Sequence, residues 1–514
     1  MMKKFLSMLA IAAMLTTSFV ACDDEDETAG PSIVAPATQS VKIESTNELI
    51  FDVTVPGGYK SATVEVTGGS AEIFSEPAAS ASTGEIVVEY VSEGTEGDET
   101  LTLVVTDNAN KTQTSTVNIT ISAFETVVVT GQLEGTHNWT SDKIYELQGR
   151  VILKDEGVLN IEAGTLIKGQ EGTGVNASTL MIARGATINA QGTEIAPIIF
   201  TSVFDNILPG QKSGTTLTTS DRGKWGGLVI LGKAPISVSG ATEAQIEGVP
   251  ASETLGLYGG DVANDNSGTL QYVSIRHGGS IIAEGSEING LTLGGVGSAT
   301  TISNIEIFGN EDDGVEFFGG SVNVTNILIA YQGDDAIDID QAYSGTVDGF
   351  YVVHGGSTDE GLEIDGPEGS VNATGRFTLT NGTIVGDPSQ AGDASSLGDF
   401  KSKAQGTIEN VMFKGYTAGK KIKIAASYAT ACAPGSANAF SNLVDDLLIF
   451  DEVDFTGYVV DVYSASIDNC AEANVPTADQ DAAEDKIISS SVTNGIPATS
   501  TWDWSLTKEK SLIQ

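Results

Sequence analysis

Three acidic stretches repeat one plan: NEDDGVEFF at 310–318, QGDDAIDID at 332–340 and STDEGLEID at 357–365. Two acids come first, then Gly or Ala, an apolar residue, an acid and another apolar residue. Asp313 to Asp335 is 22 residues and Asp335 to Glu360 is 25. If each interval is one turn of a stacked fold, strand alternation sends Val315, Ile337 and Leu362 inward and Glu316, Asp338 and Glu363 outward on one face. Asp340 and Asp365 extend the lower two rows. Stacked strands lie about 4.8 Å apart. Like charges at that separation repel by about 1 kcal/mol per pair in water, and by several-fold more at a partly dehydrated surface. Bound cations, raised carboxyl pKa values or partner donors would each relieve this. Hard oxygen ligands in a flexible cluster suit Ca²⁺, and Asp312, Asp313, Glu316, Asp335, Asp338, Glu360 and Glu363 are the candidate ligands. The competing reading is that these are solvated acids at turn corners, where Asp is favoured in any case.

The elements that would hold such a ladder are short strands. The 514 residues include 60 Gly, 13 Pro and few aromatics, and runs rich in Val, Ile and Thr recur between Gly, Asn and Asp. The class is therefore all-β. Alternating strands over 41–123, among them LIFDVTV, ATVEVTG, EIVVEYV and TLTLVVTD, predict a small β-sandwich. From 124 the pattern changes to apolar triplets or quartets that end at Gly or Asn. Asn304 to Asn326 is 22 residues and Asn326 to Gly349 is 23, which is the signature of stacked repeats. Short strands without helices favour a right-handed parallel β-helix over 124–514, each coil burying its apolar residues against its neighbours. Gly and Asn supply the positive φ angles that coil corners require. TWDWSLTKEKSLI at 501–513 is expected to cap an open end of the solenoid.

Charge excludes one class of partner. With 69 Asp and Glu against 25 Lys and Arg, the net charge of −44 leaves no basic stripe for nucleic acid. Lys3 and Lys4, the apolar run from Phe5 to Val20, and FVAC ending at Cys22 read as a targeting segment over 1–22. This resembles a bacterial lipoprotein signal, which implies lipidation at Cys22. The acidic DDEDE that follows resembles the export signal of surface lipoproteins of the Bacteroidota, with a linker over 23–40. The likeness implies an anchor in the outer membrane, facing outward. Outside the cytoplasm a disulfide between Cys432 and Cys470 is the default, two free cysteines the alternative. The end of the first domain resembles bacterial Ig-like modules. KIYELQGRVILKDEGVLNIEAGTLIKG, DRGKWGGLVILGKAPI, DNSGTLQYVSIRHGG and NEDDGVEFFGG resemble surface lipoproteins of the Bacteroidota with a pectin-lyase-like β-helix.

That fold class contains polygalacturonases, and NEDDG, QGDDAI and VHGG resemble their motif series. The likeness implies Asp313, Asp334 and Asp335 as general acid and base, with His354 nearby. It departs where Glu311-Asp312 replaces Thr-Asp, and KIK at 421–423 lies too far on for the family's substrate-gripping motif. Lyase chemistry in the class would use calcium with Arg276 or Lys401 as base, while His277 falls near Asn310. An exposed row drawn from Phe317, Phe318, Tyr331, Tyr343, Phe350 and Tyr351 would support glycan binding. The sequence has no nucleophile elbow, phosphate loop or zinc helix, and only three His. The expected function is a surface protein whose calcium-bound β-helix presents loops to a glycan or an outer-membrane protein partner. The alternative is a polysaccharide hydrolase or lyase acting at 310–365.

Overall fold

The computed structural model describes residues 28–247, 249, 253–281, 288–355, 358–387, 396–429, 433–434, 438–464, 475–492 and 496–513. The targeting segment with Cys22, and the pair Cys432 and Cys470, lie outside the described residues. The chain divides into two compact units, 1–123 and 124–514.

In the first unit every second residue of the long strands is buried, as in Thr46–Thr54, where Leu49, Phe51 and Val53 point inward. Two four-stranded sheets result, and Phe51, Val88, Tyr90, Leu103 and Ile119 from both share one core. The strand Ser32–Val34 pairs antiparallel with residues 52–54, so the sandwich begins inside the stretch expected to be linker. The four residues between Pro31 and Pro36 are too few to show a period of two, which is why this strand escaped notice.

The second unit is an all-β, right-handed parallel β-helix with 23 strands in one continuous sheet. Each coil lays down three strand segments, so the solenoid has three faces. Thr301–Phe308, Asn323–Ala330 and Thr346–Val353 each bend in the middle and contribute to two faces. The bends fall at Asn304, Asn326 and Gly349, with φ of 54°, 57° and 79°. Glycine adopts this left-handed conformation without steric cost and Asn more readily than most other residues, so the 22- and 23-residue repeat is a repeat of bends. The Asn326 side chain donates to Asn304 Oδ1 at 3.3 Å, and Asn410 to Asn381 at 2.7 Å, tying corners coil to coil. The third face carries Val315–Phe318, Ile337–Asp340 and Leu362–Ile364 in register, with Val315, Ile337 and Leu362 stacked inside as the spacing predicts.

The downstream end of the solenoid is closed by the helix Thr477–Lys486. Its Gln480 accepts from Val462 N–H at 2.9 Å and donates to Val460 O at 2.8 Å, satisfying an open strand edge, while Ala483 and Ile487 enter the core. The final segment, expected at an end, lies elsewhere. Trp502, Leu506 and Ile513 pack sideways on Phe308, Leu328, Tyr351 and Val353, outward-facing apolar residues of mid-solenoid strands. Glu306 fixes this contact: it accepts from Leu506 N–H at 3.1 Å and from Thr507 N–H and Oγ1 at 2.7 Å each. Arg276 lies 3.8 Å away, and both residues are at most 1% exposed. Glu306→Ala strands the Arg276 charge and should cost about 3–5 kcal/mol. Hydrogen exchange should then show the amides of Leu506 and Thr507 losing protection ahead of the coil strands.

Candidate functional site

The site is a single row of outward positions on the third face. Strand register aligns Ile152, Met181, Val229, Thr292, Glu316, Asp338, Glu363, Asp399, Lys423 and Asp461, one per coil. The row changes character along its length. Its first three members are apolar and covered by Val238, Ile246 and Tyr258 of the 232–262 insertion. Thr292 is the transition, and every later member is charged.

A second carboxylate row stands at the corner that feeds these strands. Asp335 N–H donates to Asp313 Oδ1 at 2.9 Å, and Glu360 N–H donates to Asp335 Oδ1 at 2.6 Å. Each corner acid thus accepts the backbone N–H of the acid on the next coil. The two rows interlock into three groups whose ligand atoms lie within 4.8 Å of one another: Asp312, Asp313 and Asp334; Asp313, Glu316 and Asp338; and Asp335, Glu360 and Glu363. All the expected metal ligands are therefore brought together. Four of them are not freely solvated turn acids, since Asp313, Glu316, Asp335 and Glu360 are 7%, 6%, 3% and 3% exposed, while Asp312, Asp338 and Glu363 are half-buried.

Neutralisation is uneven. Downstream, Lys401 pairs with Glu363, Lys423 bridges Glu360 at 3.1 Å and Asp399 at 2.5 Å, and Lys421 meets Asp461 at 3.0 Å. Around Asp313, Glu316 and Asp338, the structure shows no Lys or Arg ion pair among the described residues. Asn289, 2% exposed, donates its amide to Glu316, and its Oδ1 has no hydrogen-bond partner among the described residues. Asp338 Oδ1 is likewise enclosed and unpartnered.

The titration of these groups follows from that division. Burial, then neighbouring carboxylates, pushes Asp313, Glu316 and Asp338 well above the usual carboxylate range. Burial and Asp365 raise Asp340 to about 8. Burial and a hydrogen bond to Glu363 raise Asp335, while burial alone raises Asp334 before its acidic neighbours add to it. Burial also pushes Glu363 up, but the Asp335 hydrogen bond and Lys401 outweigh it and leave Glu363 below its ordinary value. Lys401 is lowered by burial but raised further by Glu363, so it stays charged. That removes it as a general base at neutral pH.

The other candidate catalytic groups, His354, Arg276 and His277, are buried. His354 is 2% exposed, meets the Tyr416 hydroxyl at 3.1 Å, and burial drops its pKa to about 3. Arg276 is buried under the C-terminal segment, and the neighbouring His277 contacts Asp221 O through Nδ1 at 2.6 Å. Phe317, Phe318, Tyr343, Phe350 and Tyr351 are buried, and Tyr331 is half-buried against Phe308, so the expected aromatic row is core. Sequence spacing missed Asn289, Asp399 and Lys423. Asp399 follows Glu363 by 36 residues and Lys423 follows Asp399 by 24, because loops of unequal length separate the strands. The strand patterns LEI, GDF and KIKI were the available signal.

An acid raised on folding contributes stability that is complete below its unfolded pKa of about 3.9 and is lost as pH rises through its folded value. Metal-free protein should therefore melt at progressively lower temperature from pH 5 to 9, with Asp340 passing through about 8. In thermal melts Asp340→Asn should flatten this slope and be the more stable protein at pH 9, by on the order of 1 kcal/mol per unit of pKa shift removed.

Residues 131–504 match the family described as the pectate-lyase-like β-helix domain. Among solved structures, the SrpA adhesin of Streptococcus sanguinis is 19% identical over 19% of this chain and 60% of its own, with a TM-score of 0.17. A Family 28 exopolygalacturonase of Yersinia enterocolitica is 11% identical over 86% of this chain and 88% of its own, with a TM-score of 0.18. No curated protein matches.

Proposed function

The chain belongs to the pectate-lyase-like β-helix family, and from that premise we propose that its acidic face is a calcium-dependent glycan-binding surface. The supporting observation is the uneven neutralisation of the ladder. Lysines serve the carboxylates around Glu363 and Asp399, whereas among the described residues Asp313, Glu316 and Asp338 have no Lys or Arg ion pair and the Asn289 oxygen beside them has no partner. One divalent ion there would replace several shared protons. All its donors would be oxygen, with no His or Cys in the group, which suits Ca²⁺ over Zn²⁺. Strand-borne carboxylates of varied reach suit Ca²⁺ better than the strict octahedron of Mg²⁺. Asp338 is half-buried, and on its open side the ion can take hydroxyl or carboxylate oxygens from a sugar. Polar recognition through an ion also accords with aromatic side chains that are core rather than exposed. The same reading keeps the lipid anchor at Cys22, which would carry the face on the outside of the outer membrane.

A second reading, hydrolysis, is favoured by one observation: Asp335 is shifted up and its hydrogen-bonded neighbour Glu363 down, the pattern of an acid beside a base. Against it, Asp335 is 3% exposed and already accepts the Glu360 N–H.

Calorimetric titration should show micromolar Ca²⁺ binding that Asp338→Asn or Glu316→Gln weakens at least about tenfold, which is about 1.4 kcal/mol. Lys421→Ala should leave it unchanged. At a hundredfold excess over Kd, Ca²⁺ should add about 2.7 kcal/mol of stability. Glycan-array binding should need calcium. Reducing-sugar release that is lost in Asp335→Asn would decide for hydrolysis.

A further inference from the structure

The insertion at 232–262 does more than cover the apolar half of the third face. With the turns that follow residues 153 and 182 it builds a cavity of about 390 Å³, separate from the carboxylate groups. Arg184, Lys233, Asp155, Glu243 and Asp261 line it, and Leu255 and Leu257 supply an apolar wall.

Arg184 is the fixed point. Its Nη1 donates to Glu243 Oε1 at 2.6 Å and to Gly259 O at 2.9 Å, which uses both hydrogens of that nitrogen. Glu243 and Gly259 are themselves paired across a two-stranded ribbon, so the guanidinium is held by backbone pairing rather than by a loose loop. Nε and Nη2 have no protein partner among the described residues. Those two nitrogens form the edge that grips a carboxylate side-on, through two parallel N–H···O bonds. With 69 acidic side chains in the protein, that edge is not open for want of counter-charge. Lys233 Nζ stands 3.8 Å from Asp155, too far for a hydrogen bond, and its side chain is 41% exposed.

We propose that this cavity binds the carboxylate of a small organic acid. The Nε and Nη2 edge of Arg184 holds it, Lys233 supplies the second positive charge, and the carbon skeleton lies against Leu255 and Leu257. The volume lies in the range of small-molecule sites, which combine an apolar wall with a few placed polar groups. Asp261 is exposed and lines the cavity with Asp155 and Glu243, so it opposes any anion that enters. The site is independent of calcium and of the acidic face.

The test is calorimetric titration of the full chain in buffer freed of metal by chelating resin. The probes are gluconate, with a hydroxylated skeleton, N-acetyl-leucine, with an aliphatic one, and neutral glucose. At least one acid should bind with Kd below about 1 mM while glucose does not, and which acid binds identifies the skeleton. Arg184→Gln should weaken that acid at least about tenfold, and Lys233→Gln by about threefold. Asp261→Asn should strengthen it by about threefold, a gain that a loss of folding cannot produce. Three results would overturn the proposal: neither acid binding at about 10 mM, glucose binding as well as the acids, or Lys233→Gln and Asp261→Asn failing to move affinity in opposite directions.

Discussion

Stacking one coil on the next at about 4.8 Å makes like residues neighbours, and this constraint rules the whole second unit. For apolar rows it is favourable without qualification, as in Val315, Ile337 and Leu362, which bury one another in register. For the Asn corners it is favourable too, because an amide both donates and accepts, and each corner can bond to the next. For carboxylates it is not. An ionised acid only accepts, so stacked acids accumulate charge that something else must meet.

The protein meets it in two ways along one row. At the corner, Asp313 and Asp335 spend one oxygen each on the backbone N–H of the following coil, which fixes the acids in place without removing their charge. Downstream, lysines enter the ladder itself, and Lys423 occupies the row position between Asp399 and Asp461. Upstream, Glu316 and Asp338 are followed by no lysine until Lys401, two coils beyond Asp338, and Lys401 is committed to Glu363. Burial and neighbouring carboxylates raise the upstream carboxyl groups together with no lysine to meet them, which is the physical basis for reading that end as the ion site. At the downstream end Lys401, Lys421 and Lys423 offset most of that charge.

Much of this was legible in the sequence because the β-helix writes its geometry as spacing. The 22- and 23-residue intervals marked the bends at Asn304, Asn326 and Gly349, and the repeated acidic plan placed Glu316, Asp338 and Glu363 in one row before any contact was known. What escaped was whatever depends on loop length or on distant segments. Lys423 joined the row only because a long loop ahead of Asp399 does not alter strand register. Asn289 reaches Glu316 across 27 residues with no motif to announce it. The C-terminal segment went to the side of the solenoid, since the charge of Glu306 and the apolar residues facing outward beside it were not distinguishable from core by alternation alone. The same ambiguity hid the fact that Phe317, Tyr343 and Phe350 point inward.

The most direct test of the central claim is a crystal soaked in Mn²⁺ as a calcium stand-in, with anomalous diffraction to locate the ion. The account predicts one strong anomalous peak among the carboxylates of Asp313, Glu316 and Asp338, with the Asn289 amide oxygen turned toward it, and none among Asp335, Glu360 and Glu363, where the lysines already stand. An empty upstream group, or an ion bound instead at the lysine-served group, would contradict it.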